Sequence, residues 1–215
     1  MRRGIQPLED RAAEADLVGM PKPFLQPDLF AVEALPEGFA YGEDRIGAAL
    51  EKTLLREIEK LPFQPFAFHG FFGNRRVVSF GWRYDYAGRA LKQSDPMPDF
   101  LLPLRSIAAE FAQLPADRFQ QALVTEYTPG AGIGWHRDKP MFEDVVAFSL
   151  LAPCTLRLRR KEGANWIRRA QVVLPRSAYL LRGAARNAWE HSIPPLDRLR
   201  YSITLRTFRP EAQPS

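Results

Sequence analysis

Apolar residues recur at every fourth position through residues 44–60, where Ile46, Leu50, Leu54 and Ile58 fall in step. That spacing lines one face of a helix, with Asp44 as its N-cap and Pro62 beyond its end. A second helix is predicted over Pro98–Leu114, burying Phe100, Leu101, Leu104, Ile107, Ala108 and Phe111. From about residue 120 the pattern changes to short β-rich runs broken by Gly and Pro. The predicted strands are Gln121–Tyr127, Val145–Leu151, Thr155–Arg160, Trp166–Leu174, Ala178–Leu181 and Arg200–Phe208. Helices first and short strands afterwards point to an α+β, mainly β fold, either a barrel or a two-sheet jelly roll braced by N-terminal helices.

Residues 1–20 are charged and Ala-rich without a clear apolar period, and are expected to form a flexible extension. Residues 21–42 mix Pro and Gly with short apolar pieces, which suggests extended segments and turns. Residues 21–215 read as a single domain, with lid and support elements over about 21–118 and the jelly-roll core over about 119–209.

Composition narrows the partners more than the fold. Hydrophobic residues make up 46% and charged residues 26%, a balance that can bury a sizeable core. The formal charge of +5 and the pI near 9.5 suit a polyanionic partner such as nucleic acid, and equally a soluble basic protein. The single Cys154 lies in an apolar run, so no internal disulfide framework is possible. No apolar leader follows Met1, and no stretch approaches the roughly 18 apolar residues of a membrane span. A cytoplasmic monomer without membrane contact is the expectation.

The chemistry gathers around the histidines, of which there are three. His136 and Asp138 stand two apart in Gly134-Trp-His-Arg-Asp138, so on extended backbone both point the same way. Adding the distant His191 gives two imidazoles and a carboxylate, a facial set that leaves coordination positions open and suits non-haem Fe(II). The loop Thr128-Pro-Gly-Ala-Gly-Ile-Gly134 lets backbone approach such a site closely. In the last strand Arg200, Ser202, Thr204 and Arg206 share one face, and Tyr201, Ile203 and Leu205 share the other. The two Arg Cα atoms lie ~20 Å apart, and side-chain reach from both ends leaves a gap near the span of a small dicarboxylate. An exposed polar strand face is the plainer reading of the same alternation.

Taken in order, Thr125-Glu-Tyr127-Thr-Pro-Gly-Ala-Gly-Ile-Gly-Trp-His136-Arg-Asp138, His191 and Arg200-Tyr-Ser-Ile-Thr-Leu-Arg206 closely resemble the AlkB-like family of 2-oxoglutarate/Fe(II)-dependent dioxygenases. The resemblance covers roughly residues 60–208 and implies a double-stranded β-helix. It implies His136, Asp138 and His191 as the iron ligands. Tyr127 and Arg200 match the positions that hold the distal carboxylate of 2-oxoglutarate, and Arg206 the position near its chelating carboxylate. Ser202 and Thr125 stand where relatives carry Asn. The implied reaction uses O2 and decarboxylates 2-oxoglutarate to succinate while a substrate C–H bond is hydroxylated. An N-methyl group treated so leaves as formaldehyde.

For substrate contact, Phe80, Trp82, Tyr84 and Tyr86 alternate after Asn74-Arg75-Arg76, the region from which the resemblance implies a base-stacking lid. Trp82, Tyr84, Tyr86, Arg75 and Arg76 are therefore the candidates, with core packing as the other reading of the rings. Arg157, Arg159, Arg160, Lys161, Arg168 and Arg169 surround a predicted turn at Glu162–Asn165, either as a solvated face or as a phosphate-tracking hairpin. His69 reads as structural. Relatives that repair DNA carry an acidic residue two positions after the metal Asp, and here that place is Pro140. Demethylation of N-alkylated bases in DNA or RNA is the first expectation. A methylated protein side chain or small molecule is the second, and a non-catalytic jelly-roll binding module the third.

Overall fold

The large sheet of this protein is covered on both of its faces, and that decides which strands read as continuous apolar runs. A computed structural model describes residues 34–68, 71–85, 88 and 90–212. The expected boundary at residue 20, and the side chains of His69 and Tyr86, lie outside these residues.

Thirteen strands and three α-helices are present among the described residues. The strands are β1 (Phe39–Gly42), β2 (Gln64–Phe68), β3 (Phe71–Phe80), β4 (Trp82–Asp85), β5 (Ala90–Gln93), β6 (Phe119–Tyr127), β7 (Ile133–His136), β8 (Phe142–Leu150), β9 (Cys154–Glu162), β10 (Asn165–Val173), β11 (Ala178–Leu181), β12 (Glu190–Ile193) and β13 (Arg200–Phe208). The helices are α1 (Ala48–Ile58), α2 (Leu102–Ala112) and α3 (Gly183–Asn187). Seven strands form one sheet in the order β1-β11-β8-β13-β6-β3-β2, four form a second in the order β10-β9-β12-β7, and β4 and β5 pair alone. Every pairing is antiparallel. No described helix is long and apolar enough to cross a membrane.

One face of the seven-stranded sheet packs Val124, Phe148, Ile203 and Leu205 against Leu54 and Ile58 of α1 and Leu104 and Ala108 of α2. The other face meets the four-stranded sheet through Val145, Ala147 and Leu181 against Leu156, Leu158 and Ile193. Strand β8 is therefore buried almost without interruption, whereas β9, covered on one side, alternates buried and half-buried residues. Of the barrel and the two-sheet jelly roll that the strand pattern leaves open, the layered arrangement is the jelly roll, braced by N-terminal helices.

Two local expectations are corrected. Asp44 does not cap α1: the helix starts after Gly47, and Asp44 has φ 47° and accepts a hydrogen bond from Arg176 Nη2 at 3.0 Å. Ile46 is buried all the same, ahead of the helix instead of within it. The alternating aromatic face is also broken, because Gly81 has φ 74° and separates β3 from β4. A Cβ at Gly81 would run into the Gln120 carbonyl oxygen, so the chain turns out of the large sheet there. Phe80 stays in the core, while β4 leaves to pair with β5.

Candidate active site

Cross-strand register assembles the site. His191 of β12 is the direct partner of His136 of β7, and their ring centroids lie 4.2 Å apart. On β13, Arg200 faces Tyr127, Ser202 faces Thr125 and Arg206 faces Gln121, all on β6. The pleat then turns Tyr127, Thr125, Ser202 and Arg206 into one cavity with His136, Asp138 and His191. Its volume is about 880 Å³, within the range usual for small-molecule and cofactor sites.

Asp138 follows the end of β7 and turns its carboxylate inward, where the side chain is 7% exposed. Its Oδ1 accepts from Arg206 Nε at 2.9 Å and lies 2.8 Å from Arg206 Nη2. Its Oδ2 lies 3.7 Å from His191 Nε2. His136 Nδ1 lies 2.8 Å from the Gly134 carbonyl oxygen, a contact that assigns the proton to Nδ1 and leaves the lone pair on Nε2. Among the described residues no group of three or more His, Cys, Asp or Glu side chains is gathered closely enough to hold a metal ion as it stands. Instead, two imidazoles and a carboxylate share one wall, with Arg206 holding one carboxylate oxygen. That donor set suits a divalent transition metal with open positions.

Protonation states agree with such a role. Burial raises the Asp138 carboxyl, but Arg206, His191, Arg186 and His136 outweigh it and hold the group well below the usual carboxylate range. Burial, followed by His136, pushes His191 down to about 3 against the pull of Asp138. Burial also lowers His136. Near neutral pH the site therefore presents neutral imidazoles and an ionised carboxylate, the forms that ligate metals.

The unfolded chain takes up its His191 proton near pH 6.5 and the folded chain only near 3, so between these values the unfolded state binds more protons. The contribution of His191 to the stability of the metal-free protein is thus fully present above about pH 6.5 and is lost as pH falls toward 3. Urea unfolding across that window should show the decline, and His191→Gln should flatten it; an unchanged slope in the variant would refute the assignment.

Arg200 is fully buried. Its Nε donates to Ser149 Oγ at 2.9 Å, and its Cζ lies 5.2 Å from the Tyr127 ring centroid. Its two terminal nitrogens have no acceptor. The guanidinium stands beside the Tyr127 phenol, which burial raises, and of the two it is Tyr127 that lines the cavity while Arg200 lies behind it. Ser202, Thr125 and Thr204 are buried polar groups along the same wall.

The candidates for substrate contact divide. Arg75 and Tyr84 line the cavity, Arg75 with its Cζ 3.8 Å from the Phe66 ring centroid and Tyr84 beneath Lys139 Nζ at 4.4 Å. Arg76 does not line it: its Nε and Nη2 bind Glu126 at 2.6 and 3.0 Å on the opposite face of β3. Trp82 packs edge-on against Phe208 at 6.3 Å and also stays off the wall. The basic hairpin β9–β10 spends much of its charge within the fold. Arg157 Nε donates to Ser192, Arg159 pairs with Glu190 at 2.7 Å, and Arg159 lies between the Trp135 and Trp166 rings at 4.4 and 4.2 Å.

Gln121, Arg83 and Lys139 enter the lining without a signal of their own in the motif, and Trp135 and Arg137, which strict alternation with His136 and Asp138 turns elsewhere, line it as well. Gln121 Oε1 accepts from Arg206 Nη1 at 2.8 Å, and its one signal was the alternation Tyr127, Thr125, Leu123, Gln121 along β6.

The 2OG-Fe(II) oxygenase superfamily model matches residues 49–206. The alkylated DNA repair protein ALKBH8 homolog of Arabidopsis thaliana is 29% identical, with 63% of this chain and 46% of that protein covered. The chain thus spans about half the length of that relative. Among solved structures, OsALKBH1 superposes with a TM-score of 0.62 at 16% identity, covering 81% of this chain and 99% of that one. A prolyl hydroxylase from Trichoplax adhaerens, solved with a hypoxia inducible factor peptide fragment, gives 0.57 at 16% identity, covering 81% and 85%. A Pseudomonas putida prolyl-4-hydroxylase also gives 0.57, at 13% identity, covering 80% and 92%. These structures share the jelly-roll fold. The chain belongs to the 2OG-Fe(II) oxygenase superfamily, a family that works with Fe(II), 2-oxoglutarate and O2.

Proposed function

We propose that this oxygenase removes N-linked methyl groups from bases in DNA or RNA. The observation that carries the reading is the charge of the cavity rim. Arg75, Arg83, Arg137 and Lys139 line it, and among the described lining residues Asp95 is the one carboxylate besides Asp138. Arg83 and Arg137 are exposed, placed to meet phosphates rather than each other. Tyr84 and Phe66 add aromatic faces next to these cations, the combination on which bases stack. A methylated lysine or arginine keeps its positive charge and meets repulsion at such a rim.

In this reading His136, Asp138 and His191 would hold the iron, and Arg200, Tyr127 and Arg206 would hold the carboxylates of 2-oxoglutarate. Iron, 2-oxoglutarate and O2 together supply the oxidation, which turns an N–CH3 group into N–CH2OH with release of succinate and CO2. The hydroxymethyl group then leaves as formaldehyde, and the base nitrogen recovers its proton. Burial of His191, Arg200 and Tyr127 keeps bulk water from the inner end of the cavity.

Formaldehyde release should be at least ~10-fold faster, in line with the phosphate contribution to affinity, from N-methylated single-stranded oligonucleotides than from methyl-lysine peptides at equal concentration. The advantage should shrink as salt rises. Turnover of peptides but not of a panel of methylated bases would replace nucleic acid with protein as the substrate.

A further inference from the structure

The turn that follows Asp138 is held from outside by two arginines. Phe142 N donates to the Lys139 carbonyl at 3.1 Å and closes the turn. Arg186 Nη2 donates to the carbonyls of Lys139 at 2.5 Å and Phe142 at 3.0 Å. Arg209 Nε donates to the Pro140 carbonyl at 2.7 Å, and Arg209 N to that of Met141 at 2.9 Å. Each of the four consecutive carbonyls from 139 to 142 is thus bound by one of these two residues. The arginines are also joined, since Arg209 Nη2 donates to Asn187 Oδ1 at 2.5 Å and Asn187 follows Arg186 in α3.

Arg186 is 4% exposed, a full positive charge kept away from water. Such a group is costly unless it holds something in place. It lies five residues before His191 and binds the carbonyl of the residue after Asp138. Through it, the α3 segment leading into β12 is fastened directly to the turn leading out of β7. The direction of the Asp138 carboxylate and the approach of His191 are then set by one rigid joint. A backbone turn with four carbonyls left to solvent has no such constraint.

We infer that Arg186 and Arg209 are positioning residues for the metal site, fixing Asp138 relative to His191 through the backbone of residues 139–142. The inference rests on the reading of His136, Asp138 and His191 as metal ligands. Groups that orient ligands typically change metal affinity by about 10–100-fold when removed. Arg186 makes both contacts from its single Nη2, and lysine at 186 keeps the charge but ends one atom short of that nitrogen.

Mn(II) binding, read from the loss of the free-ion signal in electron paramagnetic resonance, tests this on the full chain without turnover. Arg209→Ala and Arg186→Lys should each raise the Mn(II) Kd by ~10-fold or more, and Arg209→Lys should recover part of the loss. Arg105→Ala is the stability control, because Arg105 Nε also pins a carbonyl, that of Ala116 at 2.7 Å, away from the cavity. It should lower the unfolding temperature and leave the Mn(II) Kd unchanged. Kd values within twofold of wild type in Arg209→Ala, or an equal loss in Arg105→Ala, overturn the positioning role. Mn(II) binding that is the same in wild type and His136→Ala overturns the metal-site reading itself, and this inference with it.

Discussion

Arg200→Met is expected to weaken 2-oxoglutarate binding by on the order of 100-fold while leaving the ligand-free protein as stable as before, or more so. Both halves follow from one environment. Arg200 is fully buried, gives its Nε to Ser149 and leaves both terminal nitrogens without an acceptor. A buried cation with unpaired donors costs stability, and exchanging it for an apolar side chain of similar length removes that cost. A ligand carboxylate completes the fork, and losing one partner of a buried charge pair typically costs about 2–5 kcal/mol of binding. Calorimetric titration with 2-oxoglutarate and thermal unfolding without it measure the two effects separately. Unchanged affinity together with a large loss of stability would make Arg200 a core strut instead of a co-substrate anchor.

His136→Ala should reduce succinate formation from 2-oxoglutarate to below ~1% of wild type, since a ligand itself matters more than the groups that orient ligands. The fold should survive. His136 lies at the end of β7, the edge strand of the four-stranded sheet, and its side chain faces the cavity rather than the apolar layer between the sheets. Burial lowers its pKa, so no ion pair is lost with it. Circular dichroism should therefore match wild type while succinate release and Mn(II) retention fail together. Full decarboxylation in a folded variant would mean that the metal assignment is wrong.

Much of this was legible along the chain. The spacing of Leu54 and Ile58 located the buried face of α1, and the alternation in β13 separated Arg200, Ser202 and Arg206 from Tyr201, Ile203 and Leu205. Such patterns are visible because burial on one face repeats with the period of the element, and the residues involved are near neighbours in sequence. Short strands such as β7 and β12 have no room to repeat a pattern, so they escaped prediction although they carry His136 and His191. The alternating aromatics from Phe80 do not share one face because Gly81 redirects the chain where it passes the Gln120 carbonyl, a group distant in sequence.

By itself the sequence determined a mainly β fold with N-terminal helices, the residue types of the site and their order along the chain. Tertiary structure alone decided which of them meet. Pairing of β3 with β6 turned Arg75 to the cavity and gave Arg76 to Glu126, and pairing of β13 with β6 placed Gln121 against Arg206. The same holds for the four carbonyls beyond Asp138, bound by arginines from two later segments. Register and backbone capping depend on hydrogen bonds between segments tens of residues apart, and no local period records them.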